Sequence, residues 1–209
     1  MIVILDYGMG NAGSIGNMIR KAGGHAVIST DPEAVAGATA IVLPGVGAFD
    51  NGMGKLRSIG LIDLLTRKVV QERTPFLGVC LGMQLLFDRS EEGVSAGLGW
   101  LQGDVTKFNF SKIEDRTRLK VPLMGWNLAQ PMEFSTLFKG MEEEARFYFV
   151  HSYHVVCSHP EDVLGRSNFG YDYTCAVRRD NIFGVQFHPE KSHRFGLTLF
   201  KNFIEYAEC

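Results

Sequence analysis

A chain of 209 residues can bury one substantial hydrophobic core and is short for two ordinary domains. Its 21 basic and 23 acidic side chains give a net charge of -2 with no block of like charge, which argues against nucleic acid or a membrane surface as partner. The run Ile2 to Leu5 is too short for a signal-peptide core, and no stretch nears the roughly 20 apolar residues that span a bilayer. Cys80, Cys157, Cys175 and Cys209 contain no CxxC, so a zinc ribbon or disulfide framework fits poorly and a reducing cytoplasm fits well.

Ile2-Val3-Ile4-Leu5 reads as a buried strand ending in the Asp6–Asn11 loop. Ser14 to Ala22 follows as a helix, with Ile15, Met18 and Ile19 at helical spacing. Ala40-Ile41-Val42-Leu43 is a second strand, stopped by Pro44-Gly45. Leu61, Leu64 and Leu65 mark another helix, Phe76-Leu77-Gly78-Val79 a third central strand, and Leu81 to Phe87 the helix after it. Continuous apolar strands alternating with helices predict a parallel sheet covered on both faces. Val105 to Phe110, Arg146 to Val150, Tyr173 to Arg178 and Ile182 to Phe187 read as strands with few helices between, so antiparallel additions are expected there. Phe195 to Tyr206 closes the chain as an amphipathic helix. Without a repeat or a Pro/Ser-rich linker, residues 1–209 read as a single domain.

Gly78-Val79-Cys80-Leu81-Gly82 has the G-x-nucleophile-x-G form between a strand and a helix. The glycines permit a tight turn that holds the cysteine out at the sheet's carboxyl edge. The Leu81 amide and the helix N-terminus face the same space, where partial positive charge favours a thiolate and an oxyanion. The bland reading is a small hydrophobe packed in a glycine-rich turn. A nucleophile also needs a base, and Gly184-Val185-Gln186-Phe187-His188-Pro189-Glu190 offers one. On an extended backbone His188 and Glu190 lie on the same side, so the carboxylate can fix the imidazole tautomer while the other nitrogen takes a proton. An α/β-hydrolase would place its acid before the histidine and far from it. The order Cys, His-x-Glu argues against that fold.

His151, His154 and His159 lack the carboxylates or cysteines that would complete a metal site, and Ser152 and Tyr153 between them look more like polar ligand contacts. The Asp6–Asn11 loop has neither GxGxxG nor a Walker lysine. No metal or cofactor is implied.

Five ordered segments carry a family resemblance. Pro44-Gly45-Val46-Gly47-Ala48-Phe49, Gly78 to Gln84 and Gly184 to Ser192 resemble the class I (triad) glutamine amidotransferases. Met124-Gly125-Trp126-Asn127 and Phe147 to Tyr153 are similar to the glutaminase subunits of imidazole glycerol phosphate synthase within that family. The resemblance implies a doubly wound, mostly parallel α/β sheet flanked by helices, with Cys80, His188 and Glu190 as a catalytic triad. It implies glutamine contacts at Gly47, Gln84, Ser152 and Tyr153, and oxyanion donors at Val46 and Leu81. It also implies a (β/α)8 barrel synthase partner in a heterodimer, fed with ammonia and met near Trp126, Asn127, Tyr148 and Lys191. Leu123 stands where relatives commonly have histidine. Lys191 to Gly196 and Asn11 to Ile15 are more similar to a paralogous branch that supplies ammonia for sugar amidation in surface-polysaccharide synthesis. An inactive scaffold and a stand-alone cysteine hydrolase are further alternatives.

Overall fold

The computed structural model describes residues 1–117, 119–134, 136–141 and 144–208; Cys209 lies outside the described residues. The first half runs β1 (Ile2–Leu5), α1 (Ala12–Lys21), β2 (Ala26–Ser29), α2 (Pro32–Ala36), β3 (Ala40–Leu43), α3 (Phe49–Ser58), α4 (Ile62–Thr66), a π-helical turn, β4 (Phe76–Val79) and α5 (Leu81–Gln84). The second half holds β5 (Arg89–Ser90), β6 (Gly103–Lys107), β7 (Leu123–Pro131), β8 (Ala145–His151), β9 (Tyr153–Cys157), β10 (Val163–Asn168), β11 (Asp172–Arg179), β12 (Ile182–Val185) and α6 (His193–Glu208).

The main path of the sheet is β2-β1-β3-β4-β12-β11-β10-β7-β8. From β2 to β12 every pairing is parallel, and from β12 to β8 every pairing is antiparallel. This is the expected doubly wound sheet with antiparallel additions. Alternate residues of the parallel strands enter two separate cores. Ile2, Ile4, Ala40 and Val42 pack with Leu199, Phe200 and Phe203 of α6. Val3, Leu5, Ile41 and Leu43 pack with Phe49, Met53 and Leu56 of α3 and Leu65 of α4. Burial on both faces is the reason these strands carry unbroken apolar runs.

Several expected elements differ in extent, among them the strand expected over Ile182 to Phe187, which ends at Val185. The helix from Leu81 stops at Gln84, and Leu86 and Phe87 donate instead to Met83 and Gln84, three residues back, in tighter turns. The strand expected at 105–110 spans Gly103–Lys107, and the final helix begins at His193. Helix starts follow local chemistry: the Asn11 side chain accepts from the Ser14 N–H, and Asp31 accepts from Glu33 with Pro32 behind it.

One contact fixes where α5 sits. A Cβ on Gly82 would lie 2.0 Å from the Leu43 carbonyl oxygen, and one on Gly78 would lie 2.6 Å from the Gly82 carbonyl oxygen. The first turn of α5 therefore rests on the ends of β3 and β4 with no room for a side chain. Gly82→Ala is expected to cost about 1–3 kcal/mol or more through overpacking. Gly54, exposed on α3 with open space at its Cβ position, should gain about 0.5–1 kcal/mol as Ala. Urea midpoints at unchanged slope measure both; equal midpoints for the two variants would refute the packing constraint.

Candidate active site

Cys80 is the residue between β4 and α5, with φ 54° and ψ -109°. That positive φ costs a non-glycine residue roughly 1–3 kcal/mol and persists only where the surroundings enforce it. Here the Cys80 N–H donates to the Val185 carbonyl at 2.8 Å. Its own carbonyl accepts from Met83 and Gln84 at 3.1 and 3.2 Å. The side chain lines a cavity of about 390 Å³.

His188 lines the same cavity. Its Nδ1–H donates to Glu190 Oε1 at 2.8 Å, and both side chains are almost fully buried. The pair does not lie on one extended strand, as the sequence argument had it. β12 ends at Val185, His188 is extended, and Pro189–Lys191 forms a single 3-10 turn with the proline at its first position. The contact forms across that turn. Among the described residues, His188 Nε2 and Glu190 Oε2 have no hydrogen-bond partner. Burial pushes the His188 imidazolium down, but the facing Cys80 sulfur and the Glu190 carboxylate outweigh it and raise the ring from 6.5 to about 10. A buried nitrogen with no partner, beside a sulfur held in a strained turn, is an arrangement suited to proton exchange.

The resemblance-derived contacts converge on this cavity: Val46, Gly47, Leu81, Gln84, Ser152 and Tyr153 all line it. Gln84 Nε2 donates to the Tyr153 carbonyl at 3.1 Å and to Gln186 Oε1 at 3.0 Å. The two residues expected to supply oxyanion donors are present, but the Leu81 N–H donates to the Gly45 carbonyl at 3.2 Å. The Gly45 carbonyl and the Val46 N–H belong to one peptide plane and point to opposite sides of it. With the carbonyl facing Leu81, the Val46 N–H faces away. Upstream, the Tyr7 hydroxyl donates to the Pro44 carbonyl at 2.8 Å and fixes the start of the turn.

Of the four residues expected at a partner surface, three cluster beside the His188 segment. Trp126, 49% exposed, stacks on His193 at 5.3 Å and meets Tyr148 edge-on at 6.2 Å. Lys191 Nζ lies 5.6 Å over the Tyr148 ring. Asn127 does not join them: its amide donates to the Asn168 carbonyl at 2.8 Å, the side chains of successive β7 residues pointing to opposite faces. The Tyr148 carbonyl accepts the His188 N–H at 2.8 Å, and the Tyr148 N–H donates to Ser192 Oγ at 3.0 Å.

Three cavity neighbours escaped the sequence reading of the site. Glu92 stands at the cavity with Oε2 accepting the Phe49 N–H at 2.8 Å, a helix cap supplied from 43 residues away. No periodic pattern marks it. Gln186 is buried beneath the sulfur, with Nε2 3.7 Å from Cys80 Sγ. The sequence presents His151 only as a candidate metal ligand. Its Nδ1–H donates to the Tyr153 carbonyl at 2.8 Å, and burial holds its ring down at about 3, neutral at physiological pH. His154 pairs with the Tyr171 hydroxyl and His159 with Gln102, so the three rings do not converge. Among the described residues no group of three His, Cys, Asp or Glu is placed to hold a metal ion, and no helix is long and apolar enough to cross a membrane.

The family profile described as glutamine amidotransferase class-I matches residues 3–206. A protein of Methanococcus maripaludis named imidazole glycerol phosphate synthase subunit HisH 2 is 51% identical over 207 residues, 99% of this chain and 100% of that one. A protein of the same name from Pseudomonas aeruginosa is 51% identical over 98% of this chain and 99% of its own length. The subunit HisH of Bdellovibrio bacteriovorus is 46% identical over 98% of this chain and all of its own. A crystal structure of a glutamine amidotransferase superposes with TM-score 0.75 at 20% identity, covering 100% of this chain and 99% of that one. PurLQS from Thermotoga maritima gives 0.73 at 18%, covering 98% and 97%. At these identities the structural likeness concerns the fold.

The His188 environment makes a titration prediction. Its native value lies above the unfolded 6.5, so the stability it contributes is fully present below about 6.5 and fades as pH rises through the native value. In nitrogen NMR the wild-type ring should stay protonated above neutrality. Glu190→Gln and Cys80→Ala should each move the titration downward, because each removes one negative partner. A ring that titrates at the same pH in all three proteins would contradict the electrostatic origin of the shift.

Proposed function

Because this chain belongs to the glutamine amidotransferase class-I family, we propose that it is the glutaminase subunit of an imidazole glycerol phosphate synthase, hydrolysing glutamine to glutamate and passing ammonia to a (β/α)8 barrel subunit in histidine biosynthesis. One observation carries the chemistry: a buried His188–Glu190 pair at 2.8 Å whose free imidazole nitrogen opens on the Cys80 cavity. The whole chain, 1–209, acts as one unit in a reducing cytoplasm, joined to its barrel in a heterodimer.

Cys80 is the nucleophile, His188 the base and Glu190 its orienter. With its proton already resting on His188 Nε2, the sulfur attacks the side-chain amide carbon of glutamine as a thiolate. Glu190 holds the imidazolium. The tetrahedral intermediate collapses as His188 returns the proton to nitrogen, releasing ammonia and leaving a γ-glutamyl thioester. Water, deprotonated by His188, attacks the thioester, and glutamate leaves with the sulfur a thiolate again. Gly47, Gln84, Ser152 and Tyr153 hold glutamine in the cavity. The Glu92 carboxylate gives the substrate's α-ammonium an opposite charge at the same wall.

The oxyanion needs donors, and the Leu81 N–H is engaged by Gly45. Rotating the Gly45–Val46 peptide alone frees the Leu81 N–H and brings the Val46 N–H inward. The barrel partner, docking on the Trp126, Tyr148 and Lys191 cluster, is the agent we assign to that rotation. Asn127, tied to Asn168, takes a place at the edge of that surface.

Two relatives that are 51% identical carry the number 2 in their names, which favours keeping a second reading of the acceptor: sugar amidation by a paralogous pair. Histidine-free growth of an auxotroph lacking its own glutaminase subunit, after co-expression of this chain with its barrel, distinguishes the two. Rescue supports the histidine pathway, and no rescue with intact glutaminase activity moves the acceptor to the sugar.

Cys80→Ala should abolish glutamine hydrolysis while the barrel still binds; retained turnover would refute the nucleophile. Adding the barrel and its bound ligand should raise hydrolysis by about 10²–10³, the usual worth of an oxyanion donor. Equal rates with and without the barrel would remove the gating.

A further inference from the structure

A buried polar chain runs beneath the sulfur, and its direction is fixed by its far end. The Tyr153 main-chain carbonyl can only accept. Gln84 Nε2 lies 3.1 Å from it and 3.0 Å from Gln186 Oε1, so Gln84 turns its NH2 toward both. Gln186 must then present its carbonyl oxygen to Gln84, which leaves its own NH2 facing Cys80 Sγ at 3.7 Å. No solvent reaches Gln186, and its main-chain N–H is bound to the Cys175 carbonyl at 2.9 Å. The amide therefore has neither room nor a reason to turn over: reversal would set two NH2 groups against each other and point an oxygen at the sulfur.

We propose that Gln186 is a positioning residue for the nucleophile, donating one amide N–H to the Cys80 sulfur. His188 Nε2 lies on the cavity side and holds the proton, so the sulfur accepts from below as an anion, and its negative charge strengthens the bond from Gln186. Gln186 thus holds the anion in place for attack. The chain begins at Tyr153 and passes through Gln84, so two of the residues assigned to glutamine are joined to the sulfur by consecutive hydrogen bonds.

This inference rests on Cys80 as nucleophile, yet a reaction without glutamine tests it. The ionisable groups around the sulfur are His188 after β12, Tyr7 after β1, and His151 and Glu92 at the cavity wall, and none is altered in the variants used. Alkylation by iodoacetamide, followed across pH by mass spectrometry of the Cys80 peptide, reads the sulfur apart from the other thiols. Gln186→Glu keeps the shape but puts a carboxylate oxygen where an N–H stood. Its alkylation profile should move to higher pH, with the rate at neutrality down about 10- to 100-fold, the worth of a hydrogen bond to a charged group. Its kcat should fall in step while KM for glutamine changes less than about threefold, the pattern of a lost transition-state interaction. Should Gln186→Glu fail to fold, Gln186→Met preserves volume without charge, and a smaller shift in the same direction is expected. Profiles that superpose on wild type in a folded variant overturn the inference. Glutaminase activity surviving in Cys80→Ala would overturn the nucleophile assignment instead.

Discussion

A single backbone hydrogen bond, from the Cys80 N–H to the carbonyl of Val185, the last residue of β12, continues the parallel ladder one step past the end of β4. Everything at the site depends on that register. Val79 sits opposite Val185, so the residues that follow, Cys80 on one strand and Gln186 on the other, emerge side by side although 106 positions separate them. A slip of one residue would turn Gln186 to the opposite face of the sheet and carry His188 out of reach. β4 and β12 divide their side chains between the two cores, Leu77, Phe183 and Val185 to one and Phe76 and Ile182 to the other, so a one-residue slip would exchange them.

Next to that pairing, the glycines decide what shape the turn can take. Gly82 lets α5 rest directly on β3, and the helix start then lies against the Pro44–Gly47 turn, close enough for Leu81 and Gly45 to bond. Close packing thus creates both the strained cysteine and the Leu81–Gly45 bond beside it. The electrostatics are similarly economical. Burial alone would discharge His188, as it does His151, whose ring is neutral. Two negative neighbours reverse the sign for His188. Two imidazoles in one cavity therefore differ in charge, His188 protonated against Glu190 and His151 a neutral donor to the Tyr153 carbonyl.

Much of this was legible in the sequence, and the limits have physical causes. β1, β3 and β4 stand out because strands buried on both faces are continuous apolar runs. β2 is a half-exposed edge, and β7 alternates buried Leu123 with exposed Met124 and Trp126 around a glycine, so neither presents such a run. Cys80, His188 and Glu190 are readable because a nucleophile turn and a His-x-Glu pair each have a local spacing. Glu92 meets the cavity and Gln186 the sulfur through tertiary contacts, with Phe49 and Cys80, and a linear pattern carries no trace of those. The expectation of a long helix after Leu81 failed for a related reason: apolar residues 85–87 are buried by the second core whether or not they are helical.

Tyr148 joins inside and outside in one residue. Its ring is held at the surface between Trp126 and Lys191, while its carbonyl receives the His188 N–H. One peptide unit and one hydrogen bond separate that ring from the His188 backbone. No long lever divides exterior from interior here, since the same strand carries Tyr148 in the surface cluster and Val150 and His151 at the cavity wall.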